Sequence, residues 1–362
     1  KPGQQNIVYV RLDNTDSEIT GPKPLKDLDF NTYGGIYRDV FLLVKAPVHI
    51  TDEQYEDQVA GGGIFITYPE VSETKATIRV QTHIRNTKEK ACRVRVEQIL
   101  TKNDSLITSA EETLKLAASS GHHVTQSLEV PQPSLWTPQT PDLYTLETLV
   151  KENNRIIDRQ LTRRGIRKFE FKDNKLYLNG QETFLRGVNR HQEYPYIGYA
   201  LSNDASYRDA YKIKQAGFDY VRLSHYPHST AFMDACDELG LVVIDAILGW
   251  QYYNENEAFR SQVLQSCRDL IRRDRNHASV LAWEVSLNES WMPEEFIDSL
   301  TSIAHREYPF DDCHTAGWQR YGFDIFLQAR QHRIGDEESL PDKPYIVSEY
   351  GDWEYYAMNA GL

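Results

Sequence analysis

Cysteine is scarce in this chain, and its placement points to no chemistry. Cys92, Cys236, Cys267 and Cys313 are scattered, with no CxxC pair and no metal-ligand spacing. Isolated thiols of that kind read as buried and inert, and they leave the redox compartment open. Positive charge is also short: 40 Lys and Arg stand against 53 Asp and Glu, a net charge of −13. That balance argues against a nucleic acid or an anionic membrane surface as partner. No apolar run is long enough to span a bilayer, and no signal peptide opens the sequence. The first residues already alternate, in Asn6-Ile7-Val8-Tyr9-Val10-Arg11-Leu12, so the chain is expected to begin inside a domain. No Gly-rich phosphate loop follows any strand-like run, which argues against a doubly wound open sheet.

What is present is a globular composition over 362 residues, with 40% hydrophobic and 26% charged residues. That length predicts two or three domains. Tyrosine is frequent at 22, with 6 Trp, which suits sugar stacking and equally suits β-sandwich cores. Residues 1–50 read as strands around a loop rich in Pro and Lys, ending in the tight Gly34-Gly35 turn and the run Val40-Phe41-Leu42-Leu43-Val44. Residues 51–165 alternate with period two: Ala76, Ile78, Val80 and Ile84 share a face, as do Cys92, Val94 and Val96. A hairpin around Glu152-Asn153-Asn154 closes the series, and Trp136 is expected to plug its core. Short regular strands of this kind predict an immunoglobulin-like β-sandwich.

From about residue 166 the period changes. Apolar runs at Phe184–Asn189, Phe218–His225, Leu241–Ala246, Val280–Asn288, His314–Trp318, Phe323–Gln328 and Tyr345–Glu349 alternate with helical stretches. The helices are expected at Asp204–Ala216, Thr230–Leu239, Glu257–Asp274 and Met292–Arg306. Strand–helix alternation predicts parallel βαβ units. Residues 166–362 therefore read as a (β/α)₈ TIM barrel, catalytic in role, whose eighth unit lies beyond residue 362.

In such a barrel the active site lies at the C-terminal strand ends. Those ends bear His191, Arg222, His225, Asp245, Trp250, Asn288, Glu289, Trp318, Gln328 and Glu349. The set makes an aromatic-walled cleft with two opposed carboxylates, which suits a sugar: apolar stacking faces and charged hydrogen-bonding groups. Glu284 is the rival carboxylate, expected to be paired inside the barrel, and Arg190 is expected to be structural.

Four stretches carry a resemblance: Asn189-Arg190-His191, Val221-Arg222-Leu223-Ser224-His225-Tyr226-Pro227, Asn288-Glu289 and Ser348-Glu349-Tyr350-Gly351. In that order the chain resembles glycoside hydrolase family 2, the β-galactosidases, β-glucuronidases and β-mannosidases. Upstream, Tyr33-Gly34-Gly35-Ile36-Tyr37-Arg38 looks like the end of that family's jelly-roll domain. Trp136-Thr137-Pro138 and Pro141-Asp142-Leu143-Tyr144 look like its sandwich domain. The resemblance implies a retaining exo-β-glycosidase of the β-galactosidase type. Glu289 would be the general acid/base and Glu349 the nucleophile, about 5 Å apart as retaining pairs are. Arg222 would ionise the nucleophile, Asn288 would hold the sugar 2-hydroxyl, and His191 and His225 would bind sugar hydroxyls. Trp250 and Trp318 are candidate sugar platforms.

Three departures from the family pattern stand out. The strand leading to Asn288 carries one extra residue, which leaves the direction of Trp283 open. Ala246-Ile247-Leu248-Gly249-Trp250 replaces the Glu and His that hold Mg²⁺ in some relatives, so no metal and no cofactor is expected. No tyrosine stands near Gln328 and Arg330 at the end of the sixth strand. The expected partner is a β-linked carbohydrate, with no nucleic acid and no membrane. A β-glucuronidase or β-mannosidase of the same family is the alternative. A non-catalytic carbohydrate-binding protein on the same fold is the alternative of another class. Oligomeric state is not legible. Export to the periplasm or medium is expected by analogy with polysaccharide-degrading relatives, with the cytoplasm as the other compartment.

Overall fold

Period-two alternation builds the first half of the chain in the computed structural model, which describes residues 3–15, 17–20, 30–330 and 343–350. Eight strands come first: β1 (Val48–Ile50), β2 (Ile64–Val71), β3 (Lys75–Asn86), β4 (Cys92–Lys102), β5 (Ser105–Leu116), β6 (Ser120–Pro131), β7 (Tyr144–Glu152) and β8 (Arg155–Arg164). Strand β3 gathers β1, β2 and β6 into one antiparallel sheet, and β5-β4-β7-β8 form the other. Ala76, Ile78, Val80 and Ile84 pack with Val94 and Val96 in one core, because alternate side chains of a strand share a face. The closing hairpin is present: Glu152 pairs with Arg155, and Asn153 and Asn154 both have positive φ, the backbone a two-residue type I′ turn requires. The described residues before β1 carry turns but no strand or helix.

Trp136 does not fill the sandwich. It is fully buried against Phe169, Leu178 and Tyr220 of the following domain, and its indole Nε1 donates to Asp237 O at 2.8 Å. Pro133, Pro138 and Pro141 flank it in a segment that belongs to neither sheet, so the ring is free to bridge the two domains.

A small antiparallel sheet follows, of β9 (Phe169–Lys172), β10 (Lys175–Leu178) and β11 (Gln181–Glu182). Phe169 and Leu178 pack with Val242, Ile244 and Ala282 and so stop one end of the barrel. The barrel itself runs β12 (Gly187–Arg190), α1 (Asn203–Gln215), β13 (Tyr220–Leu223), α2 (Thr230–Leu239), β14 (Val242–Ala246), α3 (Glu257–Asp274), β15 (Val280–Glu284), α4 (Glu294–Glu307), β16 (Thr315–Gly317), β17 (Ile325–Arg330) and β18 (Tyr345–Tyr350). The seven strands pair in sequence order, and every pairing is parallel. Each of the seven expected strands is there; the eighth unit lies outside the described residues.

Helix α3 illustrates why these segments are helical. The Asn256 side chain accepts from Ala258 N at the start, Glu257 lies in the first turn, and Arg272 and Arg273 lie in the last, each suited to the helix dipole. Its stripe of Phe259, Val263, Cys267, Leu270 and Ile271 is buried against the sheet.

The structure resolves the extra residue before Asn288. Strand β15 ends at Glu284, not Asn288, because Val285 N–H turns back to Trp283 O at 3.0 Å, a tight three-residue turn. Trp283 consequently packs on the helix side of the sheet, with Val285 and Leu287, while Glu284 points into the barrel.

Candidate active site

Arg222 occupies the centre. It stands third on β13 and is fully buried. Its Nε and Nη2 donate to Glu284 Oε2 and Oε1 at 2.7 and 2.5 Å, Nη2 also donates to Asn288 Oδ1 at 2.9 Å, and Nη1 donates to Glu349 Oε1 at 2.9 Å. Burial works against the guanidinium's charge, but Glu284 and Glu349 outweigh it, and the pKa is raised. Glu284 is thus paired inside the barrel, as expected.

Asn288 is held by the loop after β14. Its N–H donates to Gly249 O at 3.1 Å, its carbonyl accepts from Gln251 N at 2.8 Å, and its Nδ2 lies 3.3 Å from His225 Nε2. Gly249 permits this approach: a Cβ there would lie 2.3 Å from Leu287 Cδ2 and 3.1 Å from Leu287 Cα. Glu289 follows with φ +51°, a left-handed backbone that turns its carboxylate away from Asn288. Glu289 Oε2 accepts from Gln251 Nε2 at 2.8 Å.

Glu349 emerges from β18 and is largely buried, its Oε1 3.8 Å from His225 Nε2. Its pKa is raised. Burial is the main cause, the charges of Glu289 and Glu284 add to it, and Arg222 opposes it. The two candidate carboxylates therefore feel one another.

His191 and His225 meet edge-on at 5.6 Å. His191 Nδ1 lies 3.3 Å from Tyr226 Oη, and that oxygen also accepts from Gln192 N at 3.1 Å. Burial pushes the His191 imidazole down to about 4. Burial, then the Arg222 charge, pushes His225 well below its ordinary value. Both rings are neutral near pH 7, so each offers one donor and one acceptor, as hydroxyl recognition requires.

Trp250 is buried and its backbone bridges to Asn288. Trp318 stands apart from this group, half-buried, with its Nε1 donating to Ser290 O at 3.1 Å. Contacts thus join Arg222, Asn288, Glu349, His191, His225 and Trp250; Glu289 joins through Gln251 and its charge, and Trp318 through the loop after Glu289.

Asp245 is not in the cleft. Ile244 pairs with the inward-facing Arg222, so the next side chain points the other way. Asp245 is buried instead beside Arg273 and Asp274 of α3, burial and Asp274 holding its carboxyl well above the usual range. Arg190 is structural as expected, paired with Asp209 at 2.6 Å and stacked over Phe232. Gln328 lies opposite Val347 on β18, and the side chain of Arg330 lies outside the described residues.

One wall was not assigned from sequence. Phe30 packs against His191 at 4.8 Å, Trp250 at 5.7 Å and Tyr226 at 5.8 Å. It is brought there by Asn31 Nδ2 and Tyr33 Oη, which both donate to Glu193 Oε1 at 2.6 Å, and by Tyr199 Oη, which donates to Asn31 O at 2.7 Å. The polar pattern Asn31-Thr32-Tyr33 was the available signal.

Among the described residues no three or more His, Cys, Asp or Glu side chains converge where a metal ion could sit. No described helix is long and apolar enough to cross a membrane. What remains is a cleft with an arginine-anchored carboxylate, a second carboxylate within its field, two neutral imidazoles and aromatic walls. A parallel β/α barrel with such a cleft is of the glycoside-hydrolase class. The comparisons agree. Residues 169–359 match the model "Glycosyl hydrolases family 2, TIM barrel domain", and residues 62–167 match "Glycosyl hydrolases family 2". The chain belongs to glycoside hydrolase family 2.

Among relatives, a β-galactosidase of Thermoanaerobacter pseudethanolicus is 30% identical over 365 residues, 96% of this chain and 45% of the relative. A putative β-glucuronidase of Formosa agariphila is 30% identical over 85% of this chain and 37% of its own length. Among solved structures, a Bacteroides uniformis β-glucuronidase superposes with TM-score 0.75 at 25% identity, covering 87% of this chain and 38% of that one. The chain spans about half the length of the curated relatives it matches.

Proposed function

We propose that this chain carries the catalytic centre of a retaining exo-β-glycosidase that acts on terminal β-galactosides. The observation that carries the reading is the Arg222 guanidinium, which binds Glu349 at 2.9 Å while Glu284 holds it from behind. A guanidinium there keeps the attacking carboxylate ionised when substrate expels water.

In this mechanism Glu349 attacks the anomeric carbon while Glu289 protonates the departing oxygen. The Glu349 carboxylate becomes the ester of a glycosyl-enzyme intermediate. Glu289, now a carboxylate, then takes a proton from water, whose oxygen displaces Glu349. Asn288, its Oδ1 engaged by Arg222 and its Nδ2 aimed toward His225, is suited to donate to the sugar 2-hydroxyl. His191 and His225, neutral, bind further hydroxyls, and Phe30 and Trp250 wall the ring. The β-glucuronidase reading stands second, supported by relatives and structural neighbours of that name.

The test is hydrolysis of p-nitrophenyl β-galactoside, β-glucuronide and β-mannoside by the full-length protein, with Glu349→Gly and Glu289→Gly beside it. Azide added to the first variant should yield an α-glycosyl azide, and to the second a β-glycosyl azide. Release from the glucuronide alone corrects the sugar. No release from any substrate by folded protein favours the sugar-binding alternative.

A further inference from the structure

Trp291 stands two residues after Glu289 and is 75% exposed. Its ring is nevertheless braced. It meets Trp318 edge-on, with centroids 4.7 Å apart and planes at 64°. Trp318 in turn is tied by its Nε1 to Ser290 O at 3.1 Å. On the other side, Met292 N donates to Gln319 Oε1 at 2.9 Å and Gln319 Nε2 donates to Met292 O at 3.0 Å. Met292 is buried, and Pro293 opens α4. The backbone is fixed immediately before and after Trp291 while the indole itself faces water. A core residue would be covered; this ring is braced by Trp318 and left open.

Direction along the loop says what the ring faces. Asn288 points inward to Arg222 and His225. Glu289, with its left-handed backbone, turns off toward Gln251, and Trp291, two residues further along the same loop, faces solvent. On the proposed reaction, the groups on the Asn288 side hold the sugar that is attacked, and Glu289 stands at the oxygen being broken. The space beyond Glu289 receives the leaving group.

We infer that Trp291, buttressed by Trp318, is a platform for the leaving group, stacking on the C–H face of a second sugar ring or on an aromatic aglycone. The apolar C–H face of a pyranose carries slight positive charge, which suits the negative face of an indole. Trp318 thereby acts through Trp291. The inference rests on the glycosidase reading and extends it to substrate class: a β-linked disaccharide or longer chain is preferred over a glycoside with a small leaving group.

The experiment compares two substrates with the same glycone, a β-linked disaccharide and the β-glycosyl fluoride, whose one-atom leaving group cannot reach a platform. In the full-length protein, Trp291→Ala is expected to lower kcat/KM for the disaccharide roughly tenfold and to leave the fluoride unchanged. Trp291→Phe is expected to restore most of the loss. An equal fall on both substrates, or no fall on either, overturns the platform. If the unmodified protein cleaves neither these nor any aryl glycoside, the glycosidase reading itself fails, an outcome visible before any variant is made.

Discussion

Arg222 and Glu284 are joined at two points, and neither side chain is more than 1% exposed. The pair fixes the guanidinium plane and so aims the remaining Nη1 at Glu349. Glu284 therefore acts on the site through Arg222 and, by its charge, on Glu349.

Replacing Glu284 by Gln leaves a buried guanidinium short of its main counter-charge. Breaking such a pair costs about 3–5 kcal/mol, to be read as a lowered urea midpoint. A midpoint within error of the parent would mean that Glu349 alone satisfies Arg222.

The pH profile should report Glu349. Its raised pKa means that the folded state favours its proton; by linkage it stabilises the fold at low pH, and that contribution is lost as pH rises through its folded value. Activity requires the ionised form, so the acid limb of kcat/KM should lie above the ordinary carboxylate range. Glu289→Gln removes one of the charges that raise it. With a dinitrophenyl glycoside, whose departure needs no acid, the limb should move to lower pH. A limb that stays in place would separate Glu349 from the field of Glu289.

His191, held at about 4, should show no titration of its ring ¹⁵N signals between pH 8 and 5. Because the unfolded chain binds that proton more readily, stability should fall as pH drops from about 6.5 toward 4. The His191→Gln variant should have a shallower fall in urea midpoint across that window. A ring that titrates near 6.5 would contradict its burial.

Trp136→Ala should cost about 3–5 kcal/mol, the usual loss for a fully buried large aromatic. Since the ring bridges sandwich and barrel, calorimetry should resolve two transitions where the parent has one. One transition, merely shifted, would mean that other contacts hold the domains together.

Local pattern carried much of this architecture. The change from period two to strand–helix alternation near residue 166 was sufficient to separate sandwich from barrel. Helix α3 was legible from its stripe of Phe259, Val263, Cys267, Leu270 and Ile271 together with its polar flanks. The pairing of Glu349 was legible because an apolar strand that ends in a carboxylate is costly unless the carboxylate is used or paired, and Arg222 pairs it.

Direction was harder to read. Asp245 and Arg222 both sit near strand ends, but one step of register sends Asp245 to the helices and Arg222 into the barrel. Trp283 likewise depended on a turn at Glu284 that composition does not announce. Phe30 enters the site across about 160 residues of chain, on hydrogen bonds to Glu193, and Trp136 bridges two domains whose docking no local pattern encodes.

The amino-acid sequence by itself determined the main sandwich strands, the seven barrel strands and the helices between them, because those depend on periodicity and on neighbours along the chain. Only the tertiary structure decided how Arg222 divides its nitrogens between Glu284, Asn288 and Glu349, which aromatic rings wall the cleft, and which indole is left facing water beyond Glu289. Those are contacts between segments distant in the chain, set by register and packing.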